Sequence, residues 1–321
     1  MRLIFYVFGI ILSATAAFAD PRFWQYEFPE TDFSKTSLES WLEIRSGGVG
    51  KDGMPALDYV YMITVADANI PATEPVITLE LAGQAPRAYP LRYMTWHEIV
   101  NDFVGDIPLA VTFCPLCNSA IVFDRRAQGQ VLDFGVTGQL RNSDMVMYDR
   151  QTFTWWQQAV GQGIVGELTG VELSAFPSWM GSFADFQARN PKGIVMDEPH
   201  YPRPYGNNPY RGYDSSARPF LFNGEFPPHG IEPLARVVRV GNRAWPLSRF
   251  SNGIIEIKEA GVTLTWEGDQ ASALDQTSIA TSRKIAAIRT RDDAGNDIVH
   301  DVMFAFAFHA FWPDGVWMLE N

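Results

Sequence analysis

Cys114 and Cys117 are the two cysteines of the chain, set in Thr112-Phe113-Cys114-Pro115-Leu116-Cys117-Asn118. A C-x-x-C pair has three uses. It can hold a thiophilic metal as thiolates, exchange electrons as a dithiol, or close a structural disulfide. Dithiol oxidoreductases place the pair at a helix N-terminus, where the helix field lowers the thiol pKa. Here an apolar run, Leu109 to Phe113, leads in and a second, Ala120 to Phe123, leads out. Runs of that length read as buried strands, so the pair is expected at a bend between two strands. That setting resembles a metal knuckle, in which the residue after the second cysteine takes a positive φ. Asn118 tolerates that conformation.

A knuckle alone does not complete a coordination shell, and there is no second cysteine pair. The remaining ligands are therefore sought among histidine, carboxylate and methionine. His97 comes first, because it lies at the edge of an apolar helical stripe next in sequence to the cysteine strand. His309 comes second: in an extended Phe304-Ala305-Phe306-Ala307-Phe308-His309 it would share a face with two alanines, which leave room beside it. The expected ligand set is Cys114, Cys117, His97 and His309, and the expected ion is copper or zinc. Glu98 reads as a capping-box residue before it reads as a base. Asp144, in Asn142-Ser143-Asp144, reads as turn chemistry before it reads as a site carboxylate. Trp155-Trp156 and the tyrosines of 201–213 could stack on a sugar or peptide, although packing explains them as well. Phosphate-cradling glycine loops, nucleophile elbows and H-E-x-x-H motifs are absent from the sequence, so no nucleotide cofactor is expected and no catalytic residue is assigned.

Two other readings of the cysteines stay open. One is a periplasmic thiol–disulfide protein. The other is a noncatalytic β-rich ligand-binding module in which the pair forms a structural disulfide. A bridge closing so short a loop would contribute only about 2 kcal/mol, which makes it a weak staple.

The first nineteen residues read as a secretory signal. Arg2 supplies the positive start, Leu3 to Ile11 the apolar core, and Ala17-Phe18-Ala19 the cleavage site before Asp20. The mature chain is expected to be periplasmic or secreted, with no stable membrane insertion after cleavage. Loss of Arg2 takes the formal net charge from −12 to −13, which argues against nucleic acid as a partner. A small molecule or a periplasmic protein is the expected partner class.

The elements expected to position these residues are mostly strands. A helix is expected over Leu38 to Arg45 behind a Thr36/Glu39 capping box, a second over Trp96 to Phe103 behind Thr95/Glu98, and a third over about 182–190. Strands are expected at Tyr59 to Val65, Pro75 to Leu81, four times between 119 and 158, and near 236–240, 254–258, 262–266 and 298–308. Asp124-Arg125 and Asp149-Arg150 are read as cross-strand ion pairs at sheet rims. The string Arg87-Ala88-Tyr89-Pro90-Leu91 recurs as Arg243-Ala244-Trp245-Pro246-Leu247, each time after a β-like run and a glycine turn. The fold class is therefore mainly β with a few short helices, built of antiparallel meanders, with a pointer to two related β subdomains. The expected organisation is a signal (1–19), a lead-in with a helix (20–51), a β-rich domain with the C-P-L-C motif (52–196), a Pro/Tyr/Gly-rich loop (197–230) and a second β-rich part packed on the first (231–321).

Longer strings also carry a resemblance: DGMPAL (52–57), YPLRYMTWHEIVND (89–102), AVTFCPLCNSAIVFDR (110–125), FGVTGQLRNSDMVMYDRQT (134–152), YGNNPYRGYD (205–214) and FAFHAFWPD (306–314). Together they resemble the family catalogued as domain of unknown function 3179. The departure is Asn118, where that family more often has glycine. The resemblance implies membership over most of the mature chain and brings no catalytic residue with it.

Overall fold

The computed structural model describes residues 21–319. The expected signal (1–19) lies outside the described residues. Among the described residues the chain is mainly β, with four short helices.

In chain order, a short strand β1 (Ile44–Ser46) is followed by β2 (Pro75–Leu79), β3 (Arg87–Pro90), helix α1 (Leu91–His97) and an antiparallel meander of β4 (Ile99–Val104), β5 (Ile107–Cys114) and β6 (Ser119–Asp124). Next come β7 (Phe134–Arg141), β8 (Asp144–Asp149), β9 (Trp155–Gln157) and β10 (Gln162–Val165). With β1 these make a separate antiparallel sheet in the order β1-β7-β8-β9-β10. The chain then returns through β11 (Ser178–Ser182), helix α2 (Phe183–Arg189) and β12 (Ile194–Met196) to the sheet of β2 and β3.

The recurring pentapeptide marks a true structural repeat. β13 (Arg236–Val240) and β14 (Arg243–Pro246) form an antiparallel pair, as β2 and β3 do. A 3-10 turn (Leu247–Phe250) stands where α1 stands. A meander of β15 (Glu256–Glu259), β16 (Val262–Ala271) and β17 (Lys284–Asp292) follows. Then β18 (Asp301–Phe304), helix α3 (Ala305–Phe311) and β19 (Val316–Trp317) close the second unit. Both units place the late strand before the helix antiparallel to the first strand, and the strand after the helix parallel to the second. The orders are β11-β2-β3-β12, with Met62–Thr64 at the edge, and β18-β13-β14-β19. The two units are interlocked. β11 of the first packs across β16 and β17 of the second, and β18 of the second packs on β6 of the first. The sheet β7–β10 is an insertion between β6 and β11 that the second unit lacks.

Several expected helices and strands differ. Leu38 to Arg45 is not a helix. Ser40, rather than Thr36, forms the capping box, with Glu43, over a single 3-10 turn at Trp41–Glu43, and the chain then enters β1. The helix expected over Trp96 to Phe103 starts earlier, at Leu91 directly after Pro90, and stops at His97. Glu98 is its C-cap at φ 60° and not its N-terminal box residue, and the β-branched Ile99-Val100 opens a strand. Phe304 to His309 is not extended: β18 ends at Phe304 and α3 runs from Ala305. Ala305, Phe306, Ala307 and Phe308 are all fully buried, so the first turn of this helix is apolar all round and the phenylalanine–alanine alternation carries no strand information. The helix after β11 is as expected: Ser182 Oγ accepts from Asp185 N at 3.1 Å, and α2 follows. Arg125 is wholly buried rather than at a rim. It donates to Leu132 O, 2.8 Å, and pairs with Asp133, while Arg150 pairs with Asp58.

Candidate functional site

β5 and β6 form a hairpin in which Cys114 pairs with Ser119. Asn118 N donates to Pro115 O at 3.2 Å, and Asn118 sits at φ 52°, the left-handed conformation a knuckle requires. The turn is clamped from the second repeat. Asn118 Nδ2 donates to Val302 O at 2.7 Å, and Phe304 N donates to Cys117 O at 2.8 Å. Ser119 Oγ and Ala120 N both donate to the Asp301 carboxylate, at 2.6 and 2.9 Å. Both cysteines are buried and neither is in a disulfide.

The inserted sheet brings the third group. β7 and β8 are joined by Asn142-Ser143, both at positive φ, the backbone of a two-residue hairpin turn. Asp144 is the first residue of β8 and is fully buried. Its Oδ2 accepts from Gln157 Nε2 (2.5 Å) and Ala159 N (2.9 Å), which fixes the carboxylate. Oδ1 is buried without a hydrogen-bond partner among the described residues. One sulfur from each cysteine and one carboxylate oxygen of Asp144 lie within 4.8 Å of one another. Among the described residues this is the one group of three or more such ligands that could hold a metal ion.

Burial dominates the electrostatics. It lifts both thiols, Cys117 well above its ordinary value, although the Cys114–Cys117 hydrogen bond and the Met145 N–H favour the Cys114 thiolate. Burial also lifts Asp144 to about 6, against the hydrogen bonds from Ala159 and Gln157. As free thiols the pair is thus protonated at neutral pH and a poor nucleophile. A cation that replaced those protons would supply the charge the site lacks.

The chain belongs to the DUF3179 family, described as a protein of unknown function. The family's model matches residues 51–315. No curated protein and no solved structure matches the chain. Family membership names no ligand or reaction, so the chemistry of the site rests on its own geometry.

The structure separates the four expected ligands. Cys114 and Cys117 meet Asp144, and neither histidine is in that group. His97 is fully buried and has both ring nitrogens engaged, Nδ1 with Pro55 O (2.7 Å) and Nε2 with the Tyr205 hydroxyl (2.6 Å). Burial lowers its pKa, and it serves as an anchor for the long loop. His309 sits on α3 with its ring 6.4 Å from that of Trp317. Asp144 was legible only as a turn residue. The available signal was the Asn-Ser hairpin turn, which fixes Asp144 at a strand start, but nothing local says what that strand faces.

The 197–230 loop is ordered against this region. The Tyr213 hydroxyl donates to Leu116 O, inside the cysteine turn, at 2.9 Å. The Tyr210 hydroxyl donates to Glu98 Oε1 at 3.1 Å and lies 3.7 Å from Met54 Sδ. Glu98 is 7% exposed, and burial pushes its carboxyl up to about 8.

Proposed function

We propose that the protein binds a thiophilic divalent cation, zinc before copper, through Cys114, Cys117 and Asp144. The observation that supports this is the convergence of two buried sulfurs and one buried, half-satisfied carboxylate within 4.8 Å. A carboxylate oxygen in place of an imidazole moves the donor set away from copper(I) and toward zinc, which accepts sulfur and oxygen together. Three protein ligands leave one position of a tetrahedral ion for water or another molecule, the arrangement of catalytic rather than structural zinc. Export through Met1–Ala19 belongs to the same proposal, and an intact mass beginning at Asp20 checks it.

The test is metal content by mass spectrometry on untagged protein, beside a thiol titration after unfolding. The expected result is about one zinc per chain with two protected thiols, lost in Cys114→Ser and weakened in Asp144→Asn. Unchanged metal content in Cys114→Ser overturns the proposal. Zero free thiols in metal-free protein replaces it with the disulfide reading.

A further inference from the structure

A cavity of about 430 Å³ lies beside the cysteine turn. Its walls come from parts of the chain far apart in sequence: Met54, Leu116 of the cysteine turn, Val136 and Leu140 of β7, Met145 of β8, and Tyr210 and Phe220 of the long loop. This volume is in the range of small-molecule sites, roughly 300–1,000 Å³, and the walls are mainly apolar. Two polar groups converge on it. The Glu98 carboxyl lines it, held by Tyr210, and Gln139 lines it with Oε1 buried and unpartnered among the described residues. Arg211, on the exposed rim, is the one basic side chain in the lining.

The internal repeat shows that the fold does not need a glutamate here. In the second unit the junction between the 3-10 turn and β15 passes through Asn252 and Gly253 at φ 57° and 83°, residues that adopt positive φ readily. In the first unit the same junction is made by Glu98 at φ 60°, a residue that does so with strain. A strained, buried carboxyl is retained where the equivalent position uses asparagine and glycine. The second unit also lacks the inserted sheet that supplies the Val136, Leu140 and Met145 wall.

We infer that this cavity binds a small neutral molecule with an apolar, ring-sized body and one hydroxyl, an alcohol or phenol, whose oxygen is held between Glu98 and Gln139. The unpartnered Gln139 Oε1 needs a donor, which a hydroxyl supplies and a hydrocarbon or ether does not. An anionic head group would face Glu98 with no buried cation to balance it. An ammonium would have to be stripped of water in an apolar chamber. The inference is independent of the metal reading, because none of the groups it uses is among the proposed metal ligands.

Calorimetric titration of the full chain in chelator, with para-ethylphenol, ethylbenzene and para-ethylbenzylamine as probes, tests it. Chelation separates this result from the fate of the metal proposal. Para-ethylphenol is expected to bind at least about tenfold tighter than ethylbenzene, the worth of one hydrogen bond in a dry site. Leu140→Trp, which fills the cavity, is expected to abolish binding of both, and Gln139→Leu, which removes the unpartnered acceptor, to remove the preference while keeping ethylbenzene. Equal binding of the phenol and the hydrocarbon by the unsubstituted protein, tighter binding of the amine, or no binding of the phenol overturns the inference. None of those three readings requires a variant to fold.

Discussion

Glu98→Gln isolates what the buried carboxyl does to stability. An ordinary glutamate titrates near 4.5, and burial holds Glu98 at about 8 in the folded chain. Between those values the folded state keeps a proton that the unfolded state releases, so the folded state binds more protons and stability falls as pH rises. Each unit of pKa difference corresponds to about 1.4 kcal/mol, so above pH 8 the carboxyl costs on the order of 5 kcal/mol relative to pH 4. Glutamine has the same shape, its carbonyl still accepts from Tyr210, and it does not titrate. The variant should match the parent near pH 4 and exceed it by several kcal/mol near pH 8. The assay is urea unfolding of both proteins at several pH values in chelator, comparing the midpoints as a function of pH. An offset between the two proteins that does not change with pH would refute the reasoning, because it would mean Glu98 ionises in the folded state at its ordinary pKa.

The proposed zinc binding by Cys114 and Cys117 would displace two protons from thiols whose pKa values burial has raised. Apparent affinity should therefore climb between about tenfold and a hundredfold per pH unit through the neutral range, measured by competition with a chromophoric chelator. Asp301→Ala removes the acceptor for Ser119 Oγ and Ala120 N, both buried, and should lower stability by about 3 kcal/mol in thermal unfolding. At Gly138 an added Cβ would lie 2.1 Å from Val49 O at φ +76°, whereas at Gly83, also at φ +76°, it would meet open space. Gly138→Ala should cost at least about 3 kcal/mol and Gly83→Ala about 1 kcal/mol, compared by denaturant titration.

The strand setting of the cysteines, the left-handed Asn118 and the helix behind Ser182 were legible because each depends on a few neighbouring residues. The repeat was legible through one pentapeptide. Its second half was hidden because β11-α2-β12 and β18-α3-β19 share geometry without sharing residues: Ser182 caps α2, while α3 has no side-chain cap and buries its first four residues. Thr95 and Glu98 imitate a helix start. The helix they fall in begins just after Pro90, and Glu98 ends it. Within the site, sequence proximity pointed to His97, which the fold turns toward Pro55 and Tyr205. Asp144 reaches the cysteines because an inserted sheet folds back over the hairpin, a tertiary event that no local pattern encodes.

The interlocking of the two repeats dictates when the site can exist. The hydroxyl of Ser119 and its acceptor on Asp301 are 182 residues apart, so the cysteine turn is clamped only once Asp301 has been made and has folded back onto it. Until then the turn that carries both thiols lacks its partners on Asp301, Val302 and Phe304. Contacts of such long sequence separation form late and slowly, and unpaired strands meanwhile expose reactive sulfur and apolar surface. Clamping of the cysteine turn and pairing of the two repeats are thus one late event in folding, and the proposed ion capture would wait on it. A nascent chain that stops short of Asp301 carries the cysteines with their turn unclamped.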